Sequence, residues 1–172
     1  LGDWQKHLQL CLNLSRSVRR LHAAGLAHSD LSYKNVLIDP VKGEACIIDI
    51  DGLVVPGLFP PEVIGTPDFI APEVLKTKGL SPTDPNRALP SIDTDKHALA
   101  TLIYMYLLYR HPLDGAKVHD TTDSDRDEEL AKGANALFIE HPTDTSNAVK
   151  PDPDWSGNAA LWLNPKRMPY TI

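Results

Sequence analysis

The run "ALATLIYMYLLY", Ala98 to Tyr109, constrains this chain more than any other stretch, because a single threonine is all that interrupts it. A membrane-spanning helix takes about 20 apolar residues, and this run is shorter. It must instead be covered by protein, which predicts a fully buried helix at about Asp95 to Arg110. Other elements of the same domain then have to pack around it, and 172 residues suffice for one such core.

Those elements can be read off the rest of the chain. Trp4, Leu8, Cys11, Leu14, Val18 and Leu21 recur at helical spacing. Asp3 stands where an N-cap belongs and Gly25 where a C-terminal glycine belongs, so residues 1–25 form a long helix. Val36 to Ile38 and Ala45 to Ile48 are short apolar runs on either side of Asp39-Pro40-Val41-Lys42-Gly43, the pattern of a β-hairpin. Residues 53–73 are rich in proline and glycine without helical period, and residues 74–94 form a second loop. The stretch "HDTTDSDRDEEL" starts a solvated helix. Pro142, Pro151, Pro153, Pro165 and Pro169 break up whatever follows, so residues 111–172 are small helices and coil. The fold class expected is mainly α with a small β-hairpin.

The formal charge of −6 argues against a nucleic-acid surface, which needs clustered lysine and arginine. Cys11 and Cys46 sit among aliphatic residues and read as reduced core thiols rather than a bridge or metal pair. No secretory leader and no membrane span stand out, so a cytoplasmic location is expected. The chain opens on Leu1, directly on a helix, which suggests a piece of something longer.

Between the first helix and the hairpin lies "HSDLSYKN", His28 to Asn35. Asn35 leads straight into the first strand. The returning strand delivers Asp49 and Asp51 in "IIDIDG", and an antiparallel hairpin brings its outer ends together. Asn35 and Asp49 are therefore expected to be neighbours. Two oxygen ligands from adjacent strand ends suit Mg²⁺, which completes its shell with phosphate oxygens and water. Asp30, further back along the loop, is placed to hold a substrate hydroxyl. Taken singly, Asp30 is a loop carboxylate, Asn35 a turn cap, and Asp49 and Asp51 surface charges. Together they are the parts phosphoryl transfer needs.

At this point the sequence resembles the protein kinase superfamily. "HSDLSYKN" is similar to the family's H-R-D-L-x-x-x-N loop, and "DID" stands in the place of D-F-G. "GTPDFIAPEVL" resembles the end of the activation segment, and "TDKHALATLIYMYLLYRHPL" the central buried helix. The four stretches occur in the family's order, and the likeness covers residues 1 to about 115. It implies the large, carboxy-terminal lobe of a eukaryotic-like kinase using ATP and Mg²⁺ on a protein Ser/Thr hydroxyl. By the same resemblance residues 26–52 hold the catalytic loop and metal hairpin, residues 53–73 the activation segment, and residues 95–110 the central helix. Asp30 becomes the catalytic base, Asn35 and Asp49 the Mg²⁺ ligands, and Leu37 the residue beneath the adenine. Thr66 packs against Asp30 and positions substrate. Asp95 holds the loop backbone near His28, His28 is structural, and Glu73 pairs with an arginine not identifiable from sequence. "IDIDGLVVPGLFPPEVIGTPDFIAPEVL" is also similar to bacterial kinase-like proteins of stress or tellurite-resistance clusters.

The departures from the family pattern are equally specific. Ser29 replaces the arginine that receives an activation-loop phosphate, and residues 50–65 contain no Ser, Thr or Tyr. Activity independent of such phosphorylation is implied. Ser32 replaces the lysine two places after the aspartate, and Lys34 is the basic residue left to reach a γ-phosphate. Asp51 replaces a glycine and is a candidate third metal ligand. The glycine-rich loop and strand lysine of the amino-terminal lobe do not occur in these residues. The chain alone is therefore expected to be inactive and to need that lobe as its partner. The alternative from a different class is a pseudokinase or protein-binding scaffold.

Overall fold

The computed structural model describes residues 4–58 and 65–149. Asp3, residues 59–64 of the expected activation segment and the prolines from Pro151 onward lie outside the described residues. Two compact units divide the chain, residues 1–102 and 103–172, and each is taken by itself.

The first unit opens with α1, Trp4–Ala23. Its end is a Schellman motif: Gly25 N–H donates to the His22 carbonyl at 2.9 Å and Leu26 N–H to that of Leu21 at 3.3 Å. Gly25 makes this possible at φ 79°, where a side chain would be strained. The buried face of α1 is His7, Leu10, Leu14 and Val18. Trp4, Leu8 and Cys11 are only half-buried, so the true stripe is rotated from the expected one. A hairpin follows, β1 (Val36–Asp39) and β2 (Glu44–Ile47), antiparallel with Val36 opposite Ile47 and Leu37 opposite Cys46. Asp39 Oδ1 accepts from Val41 N–H at 2.9 Å and Lys42 N–H at 3.0 Å, which sets the turn. Asn13 of α1 donates to the Gly43 carbonyl at 2.7 Å and seats the hairpin on the helix.

Cys46 is exposed and Cys11 half-buried, which corrects the expectation of two core thiols. The hairpin is narrow and leaves much of both faces open, so an aliphatic neighbourhood in sequence does not become a core here. Cys11, partly covered on α1, has its thiol pushed up by burial.

Helix α2 spans Pro72–Thr77, entered by proline in its first turn. Ile70, Ala71 and Val74 form a small core with Leu75 and Ala88 against it. Helix α3 spans Ile92–Leu108 and starts three residues before the expected Asp95. Its start is a reciprocal cap: Thr94 N–H donates to Ser91 Oγ at 3.4 Å and Ser91 N–H to Thr94 Oγ1 at 2.8 Å. Ala98, Thr101, Leu102 and Leu108 are buried, whereas Ile103 to Leu107 are half-buried, so the helix is less fully covered than its composition suggests.

In the second unit, Tyr109 closes the helix at φ 56°, its N–H donating to the Met105 carbonyl at 2.8 Å. Helix α4, Ser124–Lys132, is capped by Asp123, which accepts from Asp125 and Arg126 N–H. Tyr104 donates to Glu140 at 2.7 Å, and Arg110 pairs with the same carboxylate. Burial and then that carboxylate push the Tyr104 phenol up to about 12, so it stays a donor. Asn147 ties the coil, donating to the Leu113 and Leu137 carbonyls at 2.9 and 2.7 Å. Among the described residues no helix is long and apolar enough to cross a membrane.

Candidate active site

The loop from His28 to Asn35 is built on a buried carboxylate. Asp95, 2% exposed, accepts His28 N–H at 2.7 Å, Ser29 N–H at 3.1 Å and the His22 ring Nε2 at 3.0 Å. One side chain of α3 thus satisfies two loop amides that have no ladder to join. His28 is 1% exposed and its Nε2 donates to the Ile48 carbonyl at 3.0 Å, joining the loop to the end of the hairpin. A carbonyl only accepts, so this bond puts the ring proton on Nε2. Nδ1 is buried without a hydrogen-bond partner.

Asp30 is half-buried and held from two sides. Its Oδ1 accepts both the N–H and the hydroxyl of Thr66, each at 2.6 Å. Its Oδ2 accepts Asn35 Nδ2 at 3.2 Å, and the same amide donates to the Asp30 carbonyl at 2.8 Å. Both acceptors on Asp30 are oxygens without hydrogens, so the amide nitrogen must face them. Asn35 Oδ1 is thereby turned elsewhere. It accepts no hydrogen bond among the described residues, and a hard oxygen in that state is a ready cation ligand.

Asn35 ends a short 3-10 turn, Tyr33–Asn35, and its carbonyl accepts Ile48 N–H at 2.9 Å. Asp49 therefore lies one residue beyond the partner of Asn35. It is exposed and adopts the left-handed conformation, φ 59° and ψ 59°, which aspartate tolerates better than most residues. A carbonyl oxygen and a carboxylate at adjacent strand ends match the donor chemistry of Mg²⁺. Asp51 is exposed in the following turn, Ile50–Gly52. Among the described residues no three His, Cys, Asp or Glu side chains gather into a cation-binding group, so Asp30, Asp49 and Asp51 do not converge as one.

The remaining residues are dispersed around this centre. Leu37 is 58% exposed on β1 and borders a groove of about 470 Å³ shared with Arg16, Arg20, Ile38 and Cys46. Lys34 is exposed on the loop with no ion pair among the described residues. Glu73 is exposed on α2. Its backbone carbonyl accepts Thr77 Oγ1 at 2.9 Å, and no arginine among the described residues pairs with its carboxylate. Ser32 is fully buried, so it cannot stand in for a phosphate-binding lysine.

Two features escaped the sequence reading. Ser29 lies at φ 65° and its hydroxyl donates to the Gly52 carbonyl at 2.8 Å. His22 grips Asp95, although it sits in α1 and 73 residues away. Neither leaves a local signal, since both depend on partners brought in by the fold.

Residues 5–154 match the family described as "Protein kinase domain". The dual serine/threonine and tyrosine protein kinase of Apis mellifera is 33% identical over 73 residues, 42% of this chain and 7% of that protein. Its Gallus gallus counterpart is 35% identical over 76 residues, 44% of this chain and 8% of that protein. The death-associated protein kinase dapk-1 of Caenorhabditis elegans is 32% identical over 109 residues, 61% of this chain and 7% of that protein. The chain thus spans under a tenth of the length of these relatives. Among solved structures, the Cydia pomonella granulovirus kinase PK-1 aligns with a TM-score of 0.56 at 17% identity, over 83% of this chain and 48% of that one.

Proposed function

The chain belongs to the protein kinase domain family, and from that premise we propose that it is the carboxy-terminal lobe of an ATP- and Mg²⁺-dependent protein kinase. In this reading it acts in the cytoplasm on protein substrates and needs an amino-terminal lobe to complete the nucleotide site. The observation that carries the proposal is the shared grip on Asp30. Thr66 and Asn35 orient its carboxylate while the Asn35 oxygen opposite is left for a cation. A bound Mg²⁺ supplies charge neutralisation at the phosphates. Asn35 and Asp49 hold it, Asp30 orients the attacking hydroxyl, Lys34 lies on the same loop for the moving phosphate, and Leu37 lines the adenine side. A serine or threonine is the acceptor, supported by the Thr66 contact; the dual-specificity relatives make a tyrosine peptide the control substrate. The buried Ser29 has no charge to receive a phosphate, which supports activity without activation-loop phosphorylation.

The test uses the polypeptide in which this lobe is joined to its amino-terminal lobe. At a hundredfold excess over Kd, Mg-ATP should stabilise it against unfolding by about 2.7 kcal/mol. In Asp49→Ala the Mg²⁺-dependent part of that gain should vanish, while stabilisation by ATP in chelator is the same in both proteins. An Asp49→Ala protein that responds to Mg-ATP as the parent does would remove the metal assignment. Nucleotide binding without transfer to any hydroxyl would make the chain a pseudokinase scaffold.

A further inference from the structure

Ser29 is bonded in a way that its neighbours in the loop do not explain. Its amide goes to Asp95, as does that of His28, but its hydroxyl turns the other way and donates to the Gly52 carbonyl at 2.8 Å. The residue is 9% exposed and sits at φ 65°, a conformation that costs a serine of order 1 kcal/mol or more and persists only where the surroundings impose it. Two residues further back, Ala27 and Val54 exchange a pair of backbone hydrogen bonds, each 2.9 Å. On the other side, the Ser29 carbonyl lies 3.3 Å from where a Cβ on Gly65 would be, and Gly65 has φ 120°. Residues 27–29 therefore hold the outgoing stretch 52–54 by three hydrogen bonds and touch the returning chain at Gly65.

What those bonds fix is the turn directly after Asp49. Asp49 itself makes no side-chain hydrogen bond among the described residues, and its left-handed backbone is soft unless both flanks are tied. The upstream flank is tied by the β1–β2 ladder and by the His28 ring on the Ile48 carbonyl. The downstream flank is tied by Ser29 and by the Ala27–Val54 pair. A charged side chain at position 29 would lose the Gly52 bond and, lying in the same buried place, would hold its charge out of water.

We propose that Ser29 is a positioning residue: its hydroxyl latches the Ile50–Gly52 turn to the catalytic loop and so presents Asp49 to the metal without any phosphate. This rests on the phosphotransfer reading above. It goes further in naming the internal bond that does the work a phosphate clamp would otherwise do.

The experiment compares S29A and S29G with the parent, each joined to the amino-terminal lobe. Hydrogen exchange is read first. Ala27 and Val54 amides should exchange roughly 2- to 10-fold faster in both variants, the range one such hydrogen bond supports. The His28 amide on Asp95 should be unchanged. The Mg²⁺ concentration for half-maximal ATP turnover should rise by a similar factor in both. Glycine relieves the positive φ and alanine does not, so the two variants separate in thermal stability. A shift in Mg²⁺ requirement common to both then cannot be ascribed to lost stability. Unchanged exchange at Ala27 and Val54 overturns the latch whatever the turnover data show. Faster exchange with an unaltered Mg²⁺ requirement overturns its role in presenting Asp49. A parent that never responds to Mg-ATP overturns the phosphotransfer reading and the positioning role with it, while the exchange data still judge the latch.

Discussion

Replacing Asp30 with asparagine is expected to lower kcat by about 10²–10⁴-fold, the usual contribution of a positioned proton acceptor, with Mg-ATP affinity nearly unchanged. The new amide oxygen can still accept the Thr66 N–H and hydroxyl, which now meet Oδ1 at 2.6 Å. The amide nitrogen then faces Asn35 Nδ2, where the carboxylate bond is already long at 3.2 Å, and the Asp30 carbonyl at 2.8 Å keeps Asn35 in place. The loop should survive while the carboxylate is lost. Steady-state kinetics on a serine peptide, beside nucleotide binding by calorimetry, separates these effects. A fall in kcat of less than ten-fold would show that Asp30 does not take or orient the hydroxyl proton.

The second large effect is structural. Asp95→Ala strands the His28 and Ser29 amides, both buried and both using this carboxylate as acceptor. Each buried donor without a partner costs about 1–3 kcal/mol, so a loss of roughly 2–6 kcal/mol in unfolding free energy is expected. That is a large share of the few kcal/mol that separate most domains from unfolding. Asp95→Asn should lose about half as much, because one oxygen remains to accept while the nitrogen opposes the other donors. Urea unfolding with an unchanged m value would report this cleanly. A cost below about 1 kcal/mol for the alanine variant would mean that water or another group replaces the carboxylate.

The legibility of this chain varies with the range of the interaction responsible. The hairpin is readable because a turn sequence sits between two apolar runs, and a ladder leaves no choice about which ends meet. Gly25 is readable because a left-handed C-cap has one preferred residue. The start of α3 is not, since "SIDT" is an ordinary polar tetrapeptide until Ser91 and Thr94 are seen to exchange bonds. The phase of the α1 stripe is misread because His7 is buried and Cys11 is not fully so, a consequence of what packs against the helix rather than of its own pattern. In the site, the closeness of Asn35 to Asp49 follows from hairpin geometry. The contact of Thr66 with Asp30, across 36 residues, comes only from family likeness, as no local rule joins a loop to a segment so distant. The exposure of Glu73 and the inward turn of the Ser29 hydroxyl lie beyond both kinds of reasoning.

The single amide of Asn35 ties the two halves of the chemistry together, so that no mutation of Asn35 itself touches one without the other. Its nitrogen restrains the aspartate and, in the function proposed above, its oxygen addresses the cation, so an Asn35→Ala protein should loosen Asp30 and the metal at once. Its defect, combined with that of Asp30→Asn or Asp49→Ala, should fall well short of the product of the single defects. Rates measured on such doubles would therefore report one communicating unit, with no separate shares to be assigned to acid–base and electrostatic effects.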